Sequence, residues 1–244
     1  MVDLVPMRSV WTSVKGGMNM TPRVVAGMAV VIVMPLILFM VSGDWGWPMA
    51  WAYTGLYWVA ALGSRLTLLY LAPDLLIERG NFPVLKGVPD WDPRLSMVMG
   101  MWGPMALLLV AGLDHRLGWS ALVPKQGSLM ALGVVGVASL ISVWAMFVNR
   151  FFGAVVRIQT ERNHKVVDTG PYAFLRHPGY AGSLYATLAV PFILDAPWAL
   201  IPALLLAAVT IRRTLLEDRF LKDELPGYAD YAKRVRFRLI PGIW

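Results

Sequence analysis

The 244-residue sequence contains no cysteine and only three histidines, His115, His164 and His177. Without thiols there are no disulfides, no thiolate catalysis, no iron–sulfur cluster and no cysteine-bound zinc, and three scattered imidazoles are a poor basis for a buried metal centre, so no metal is expected. Charge is scarce as well. Asp, Glu, Lys and Arg make up 15% of residues and hydrophobic types 57%, whereas soluble domains carry about 25% charged residues. This excludes both an ordinary water-soluble globule and a disordered chain, and leaves a membrane-embedded protein.

The places where charge is missing outline the architecture. Val24–Gly43, Trp45–Ser64, Leu95–Leu113, Gln126–Asn149, His177–Leu194 and Ala196–Ile211 are free of all four charged types. A helix rises about 1.5 Å per residue and needs about 20 apolar residues to cross the hydrocarbon core, a length that the first four runs approach or exceed. The last two are shorter and split by Asp195-Ala196-Pro197. They read as a tight hairpin of two helices, with one long bent helix as the alternative.

The distribution of Lys and Arg sets the orientation, because cytoplasmic loops hold the excess. Segments 1–23, 74–94, 150–176 and 212–244 carry three, three, five and eight of them, and loops 43–46, 114–125 and 195–196 carry none, two and none. Six crossings with both termini in the cytoplasm are therefore expected, since five would put the most basic segment outside. Met1–Arg23 has no apolar core of a signal peptide. The net charge of +7 is assigned to loops facing anionic membrane lipid, not to nucleic acid. The expected fold is all-α, a polytopic integral membrane bundle of about six transmembrane helices. Its last two helices form a hairpin, and a short cytoplasmic helical segment follows.

Chemistry-bearing residues concentrate in two cytoplasmic pieces, 149–182 and 212–244, that bracket the last two runs. Gly170-Pro171 marks a turn, and Pro178 suits the first turn of a helix, where its missing N–H costs nothing. Arg176 and His177 then sit at the start of the fifth span, where unpaired backbone N–H groups favour an anionic ligand group. Glu217 and Asp218 stand at the other foot of the hairpin. A chain reversal brings them near His177, so that a cation, an imidazole and two carboxylates share one interfacial pocket. Tyr228 and Tyr231 fall on one face of a short helix after the turn at Pro226-Gly227.

The segment His164-Lys165-Val166-Val167-Asp168-Thr169-Gly170-Pro171-Tyr172, followed by Arg176-His177-Pro178-Gly179-Tyr180-Ala181-Gly182, resembles the signature of the isoprenylcysteine carboxyl methyltransferase family and its phospholipid-methyltransferase relatives. Glu217-Asp218, Leu221 and the Tyr228/Tyr231 pair resemble that family's second motif, with Asp218 replacing a Glu. The likeness covers the C-terminal 90 or so residues. It implies an integral membrane methyltransferase using S-adenosylmethionine, with residues 126–244 as the catalytic region and 1–125 as helices without signature. By position, Gln159, His164, Val166, Gly170, Tyr172, Arg176, His177, Pro178, Tyr180 and Glu217 line the cofactor cavity, and Glu217, Arg176 and His177 are the catalytic candidates. The implied partners are a lipophilic or small-molecule methyl acceptor and membrane lipid. An isoprenylcysteine-type carboxylate is the first choice of acceptor; a phospholipid amine or a small thiol is the alternative.

In that reading a carboxylate binds ribose hydroxyls or an ammonium, Arg176 the methionine carboxylate, and aromatic faces the sulfonium by cation–π contacts of about 0.5–2 kcal/mol. Methyl transfer is an in-line displacement that needs no covalent residue. Alignment alone supplies about 7–11 kcal/mol. A protonated nucleophile needs a base, from Glu217, Asp218 or His177; a carboxylate nucleophile instead needs a cation. Plainer roles compete for each group: Arg176 and His177 as interfacial snorkelling residues, and Glu217 and Asp218 as partners of Arg212, Arg213 or Arg219. Arg65, inside a span, either snorkels or orients a head group. Asp74-Leu75-Leu76-Ile77-Glu78-Arg79 and Asp90-Trp91-Asp92 read as solvated loop charge or as a cover over the site. A small transporter or scaffold carrying a relic signature is the non-enzyme alternative, but no repeated halves are visible.

Overall fold

The structure is a computed structural model that describes residues 22–71 and 87–244. Among them all regular structure is helical. In chain order the elements are α1 (Pro22–Val33), α2 (Ile37–Ser42), α3 (Pro48–Leu71), α4 (Asp92–Met97), α5 (Gly103–Leu117), α6 (Lys125–Val148), α7 (Pro178–Ile193), α8 (Leu200–Glu224) and α9 (Tyr228–Arg234). Asp74–Arg79, weighed in the sequence as a possible cover over the site, lies outside the described residues.

Three helical stretches are long and apolar enough to cross a membrane: Asp92–Leu117, Lys125–Val148 and Pro197–Glu224. The first joins α4 to α5 through one wide π-helical turn at Val98–Trp102. Ala29–Ser42 is a shorter apolar helix, and α7 has 16 residues. Large apolar side chains point outward along α6 and α8, Leu140 at 70% exposure and Leu205 at 66% among them. A surface of that kind is stable only against lipid or protein.

The core lies where α2, α3, α5, α6 and α7 converge around Leu38, Phe39, Leu108, Ala111 and Ile193, all essentially inaccessible. The α6 and α7 backbones approach closely because small residues meet there. A Cβ on Gly182 would lie 2.5 Å from the Ala138 carbonyl oxygen and 2.2 Å from Ser142 Oγ, so only glycine fits.

At the end of the bundle away from the site, two buried or half-buried acids fasten loops. Asp195 Oδ1 accepts the Leu122 and Val123 N–H groups, and Asp114, fully buried, accepts Trp198 N–H and the Ser120 hydroxyl. Asp195 is thus the cap of a loop–loop contact as well as the tip of the turn between α7 and α8. After α9, the tail 235–244 runs back along the entry to α7, with Arg176 N–H donating to the Phe237 carbonyl and His177 N–H to that of Arg238.

Asp92 departs from the expectation of a solvated loop charge. It is 0% exposed, accepts hydrogen bonds from Val156 N–H and the Ser96 hydroxyl, and pairs with the Arg213 guanidinium at 2.8 Å. A buried carboxylate must be paired and hydrogen-bonded to be tolerated, and the partner comes from a helix 121 positions further along.

Candidate active site

The segment between α6 and α7 forms two 3-10 turns, Thr160–Arg162 and Gly170–Ala173, in place of a long helix. Gly170 makes the second turn possible. Its φ is +58°, and a Cβ there would lie 2.9 Å from Val148 Cγ2, so glycine is required on both grounds. The turn delivers Tyr172 into the site, where its hydroxyl accepts from Asn149 Nδ2 at 3.2 Å and its carbonyl accepts from the Tyr231 hydroxyl at 2.7 Å.

Arg176 is 5% exposed and heavily bonded. Its Nε and Nη2 donate to the two oxygens of Asp218 at 2.7 and 3.2 Å, and Nη1 donates to the carbonyls of Ala232, Val235 and Arg236. Asp218 also receives the Tyr228 hydroxyl at 3.1 Å, Lys222 Nζ at 3.0 Å and Arg238 Nε at 3.1 Å. Arg176 and Asp218 therefore join the start of α7, the end of α8, α9 and the tail into one closed corner. Bidentate guanidinium–carboxylate geometry makes that corner rigid.

Glu217 has different surroundings. Its Oε2 accepts the Tyr180 hydroxyl at 2.5 Å, and its Oε1 lies 3.9 Å from His177 Nδ1. The His177 ring lies parallel to that of Tyr180, 5.8 Å away, and its Nε2 is 3.5 Å from Asp218 Oδ1. Residues some forty positions apart thus surround one space, as the sequence predicts. Arg213 completes this side, with its guanidinium 5.3 Å above the Tyr180 ring, Nε bound to Asp92 and Nη2 donating to the Ala154 carbonyl at 3.1 Å. Its Nη1 makes no hydrogen bond to any described protein group.

These groups line a cavity of about 530 Å3, within the range that takes a cofactor-sized ligand (roughly 300–1,000 Å3). Of the residues predicted for the site, His164, Val166, Tyr172, Arg176, His177, Tyr180 and Glu217 lie on its wall. Gln159, Gly170 and Pro178 stand behind it. Gln159 is 1% exposed, with its amide donating to the Phe151 carbonyl and accepting from Arg162, so it shapes the loop and does not reach the space. Pro178 is buried as the first residue of α7.

The wall also contains residues that the sequence did not single out for the site: Arg213, whose buried partner Asp92 stands behind the wall, and Met97, Gly100 and Met101 from the π-helical turn region. Arg213 stands four residues before Glu217 and so shares its helix face, a signal that was present. Asp92 had none.

Local environment sets the protonation states. Burial, reinforced by the nearby Arg157 and Arg162 guanidinium groups, lowers the His164 imidazole to about 4, so the ring is neutral at pH 7. Its Nδ1 accepts the Gln159 N–H at 3.3 Å, which leaves the proton on Nε2. Burial also raises the Tyr172, Tyr228 and Tyr231 phenols, and for Tyr228 the adjacent Asp218 carboxylate adds to the effect. All three remain hydroxyl donors. Among the described residues, no cluster of three or more His, Asp and Glu is placed to hold a metal ion.

Helical construction, apolar spans and a polar chamber at one end define a helical membrane protein with a cavity at one end of its bundle. Residues 127–225 match the model of the phospholipid methyltransferase family. The cobalt-zinc-cadmium resistance protein CzcN of Cupriavidus metallidurans is 36% identical over 116 residues, 43% of this chain and 46% of that protein. Protein-S-isoprenylcysteine O-methyltransferase B of Arabidopsis thaliana is 34% identical over 92 residues, 36% of this chain and 45% of that one. A probable protein-S-isoprenylcysteine O-methyltransferase of Oryza sativa is 33% identical over 89 residues, 36% and 47% of the two chains. The chain thus spans somewhat under half the length of the curated relatives it matches. The likeness to the phospholipid methyltransferase family and to isoprenylcysteine O-methyltransferases thus covers under half of this chain, the family match lying in residues 127–225.

Proposed function

We propose that this chain is an S-adenosylmethionine-dependent membrane methyltransferase acting on a lipophilic acceptor whose head group is a carboxylate, of the isoprenylcysteine type. The observation that carries this reading is the convergence of Glu217, His177 and Tyr180 with the incompletely bonded Arg213 on one cavity. We further read the chain as six crossings with both ends cytoplasmic, α7 and α8 forming the closing hairpin. The position of Tyr180 against Glu217 and the Lys/Arg asymmetry support that topology.

The donor set fits the cofactor. A carboxylate (Glu217) is available for hydroxyl or ammonium groups, the Tyr228 ring for a sulfonium, and neutral His164 can donate from Nε2. When bound, S-adenosylmethionine supplies an electrophilic methyl group on a positively charged sulfur. Tyr180 holds the Glu217 carboxylate in place through its 2.5 Å hydrogen bond. The Arg176–Asp218 corner keeps α9 and the tail closed over the chamber, excluding water, which strengthens every electrostatic contact inside.

Arg176 spends its donors on the protein, which makes it a positioning residue in this reading. Arg213 is a cation on the cavity wall whose Nη1 is not committed to a described protein group, and a carboxylate acceptor held there needs no general base. Glu217 and His177 then bind and orient and do not take a proton. An amine or thiol acceptor would reverse that assignment, with Glu217 or His177 taking the proton.

The test is transfer of labelled methyl from S-adenosylmethionine to an S-prenylated N-acetylcysteine by the purified protein in lipid nanodiscs. Base-labile ester label that is lost in Glu217→Gln supports the proposal. Label on a phospholipid amine or a small thiol and none on the cysteine carboxylate overturns the acceptor assignment.

A further inference from the structure

Three contacts fix the Arg213 guanidinium. Asp92 Oδ1 takes its Nε at 2.8 Å, the Ala154 carbonyl takes Nη2 at 3.1 Å, and the central carbon stands 5.3 Å over the Tyr180 ring. A guanidinium is planar, so two anchored donors and a covered face leave it a single orientation. Nη1 alone is without a described protein partner, on a side chain that lines the cavity. Asp92 is held as firmly as the group it holds. Its Oδ2 accepts the Val156 N–H at 2.8 Å and the Ser96 hydroxyl at 3.3 Å, and none of its surface reaches solvent.

Asp92 also opens the membrane-crossing stretch Asp92–Leu117. The wide turn of that stretch at Val98–Trp102 has a local cause: Pro104 has no N–H to give the Gly100 carbonyl, and the Gly103 N–H goes to the Val98 carbonyl instead. Met97, Gly100 and Met101 line the cavity from there. One carboxylate therefore pins this part of the wall to α8 and sets the direction of Arg213 on it.

An anchor alone does not require an acid. A neutral carbonyl would accept the Arg213 Nε–H, and burying a charge is costly even when it is paired. What the acid adds is a counter-charge. A carboxylate acceptor at Nη1 shares one guanidinium with Asp92, and two anions on one cation repel each other. In the transfer, an acceptor oxygen bonds the methyl carbon as the carbon–sulfur bond breaks with its electron pair going to sulfur. An anion and a sulfonium become an ester and a thioether, and no proton moves. The repulsion from Asp92 is thus felt by the bound acceptor and relieved as its charge disappears, and an interaction that differs between ground and transition state in this sense speeds the reaction.

We propose that Asp92 is a positioning residue for the methyl transfer, acting through Arg213: it aims the uncommitted amino group at the acceptor carboxylate, and its own charge opposes the charge that the reaction removes. This rests on the methyltransferase reading and adds to it a group from the N-terminal half that lies behind the cavity wall.

Asp92→Asn keeps an oxygen for Arg213 and removes the charge. Calorimetry in nanodiscs, with S-adenosylhomocysteine present, should show the S-prenylated N-acetylcysteine bound about fivefold more tightly than by the parent and its carboxamide counterpart bound equally. S-adenosylhomocysteine affinity should stay within about twofold of the parent. Single-turnover methyl transfer, counted per S-adenosylhomocysteine-binding site so that unfolded protein drops out, should be at least about tenfold slower. A purely structural role cannot tighten binding of the acid alone. Equal or weaker binding of the acid, or an equal transfer rate per site, overturns the proposal. If Asp92→Asn yields no binding sites, Asp92→Glu takes its place: it retains the charge and displaces the guanidinium, so acid affinity should stay within about twofold while transfer slows about tenfold, and a parent-like rate overturns the proposal. Tighter acid binding in Asp92→Asn with no methyl transfer by the parent sustains the action of Asp92 on a bound carboxylate and overturns the carboxylate-methylation reading instead.

Discussion

Glu217 and Asp218 are neighbours on one helical turn, yet they face different tasks. Asp218 is buried among Arg176, Arg238, Lys222 and Tyr228, whereas Glu217 meets the cavity with one tyrosine hydroxyl on it. Asp218→Asn should therefore act on stability. It leaves a buried guanidinium without its counter-charge, a change costing about 3–5 kcal/mol, read as a lower unfolding midpoint in detergent. Glu217→Gln should leave the midpoint near the parent and weaken cofactor binding about tenfold, or about 1.4 kcal/mol. Equal midpoints for the two variants would contradict this division.

His164 gives a pH prediction with a definite sign. Its imidazole is held to about 4 in the fold against about 6.5 in the unfolded chain, so between those values the unfolded state binds the extra proton. Stability then rises with pH across roughly 4 to 6.5 and falls as acid is added through that window. His164→Gln should flatten this part of the pH–stability profile, measured by thermal unfolding at pH 7 and 4.5. An unchanged slope would place the titration elsewhere.

Helix packing, not composition, decides where the site can form. α7 carries His177 and Tyr180 to the cavity only because it lies tightly on α6, and Gly182 permits that approach with no room for a Cβ against the Ala138 carbonyl. Gly182→Val should force the helices apart, cost about 1–3 kcal/mol, and reduce cofactor binding although residue 182 touches no ligand. The helices themselves were legible in the sequence because charge-free runs mark them. The breaks at Gly43 and Asp195 were legible for the same reason, whereas α5 continues past the end of its charge-free run at Leu113 to Leu117. The π-turn was not read, although Gly103-Pro104 carries its cause, because apolar periodicity cannot distinguish a four-residue from a five-residue hydrogen-bond step.

At the scale of the whole molecule, the polar half of the site was legible because its residues sit in two compact motifs. Glu217 and His177 meet through the turn between α7 and α8, which Asp195-Ala196-Pro197 announced. The other half was not. Asp92 and Arg213 are 121 positions apart, and an acid in a Trp- and Pro-containing loop looks solvated until its partner helix is placed beside it. Nor is Arg176's commitment to Asp218 and three tail carbonyls visible in a linear motif that places it beside His177. The N-terminal half enters the cavity through residues 96–101, so the functional unit we propose begins near Asp92 and not at residue 126. A chain cut at 125 should bind no cofactor even if it inserts into membranes.

We propose one chamber, built by α4, α7 and α8, that holds the methyl donor against Glu217. Titration calorimetry of the detergent-purified protein with S-adenosylhomocysteine tests it most directly. Saturable one-to-one binding is expected, weakened about tenfold in Glu217→Gln and undisturbed in the outward-facing Leu140→Ala. Absence of binding to the folded parent protein, or equal affinity in the parent and Glu217→Gln, would contradict it.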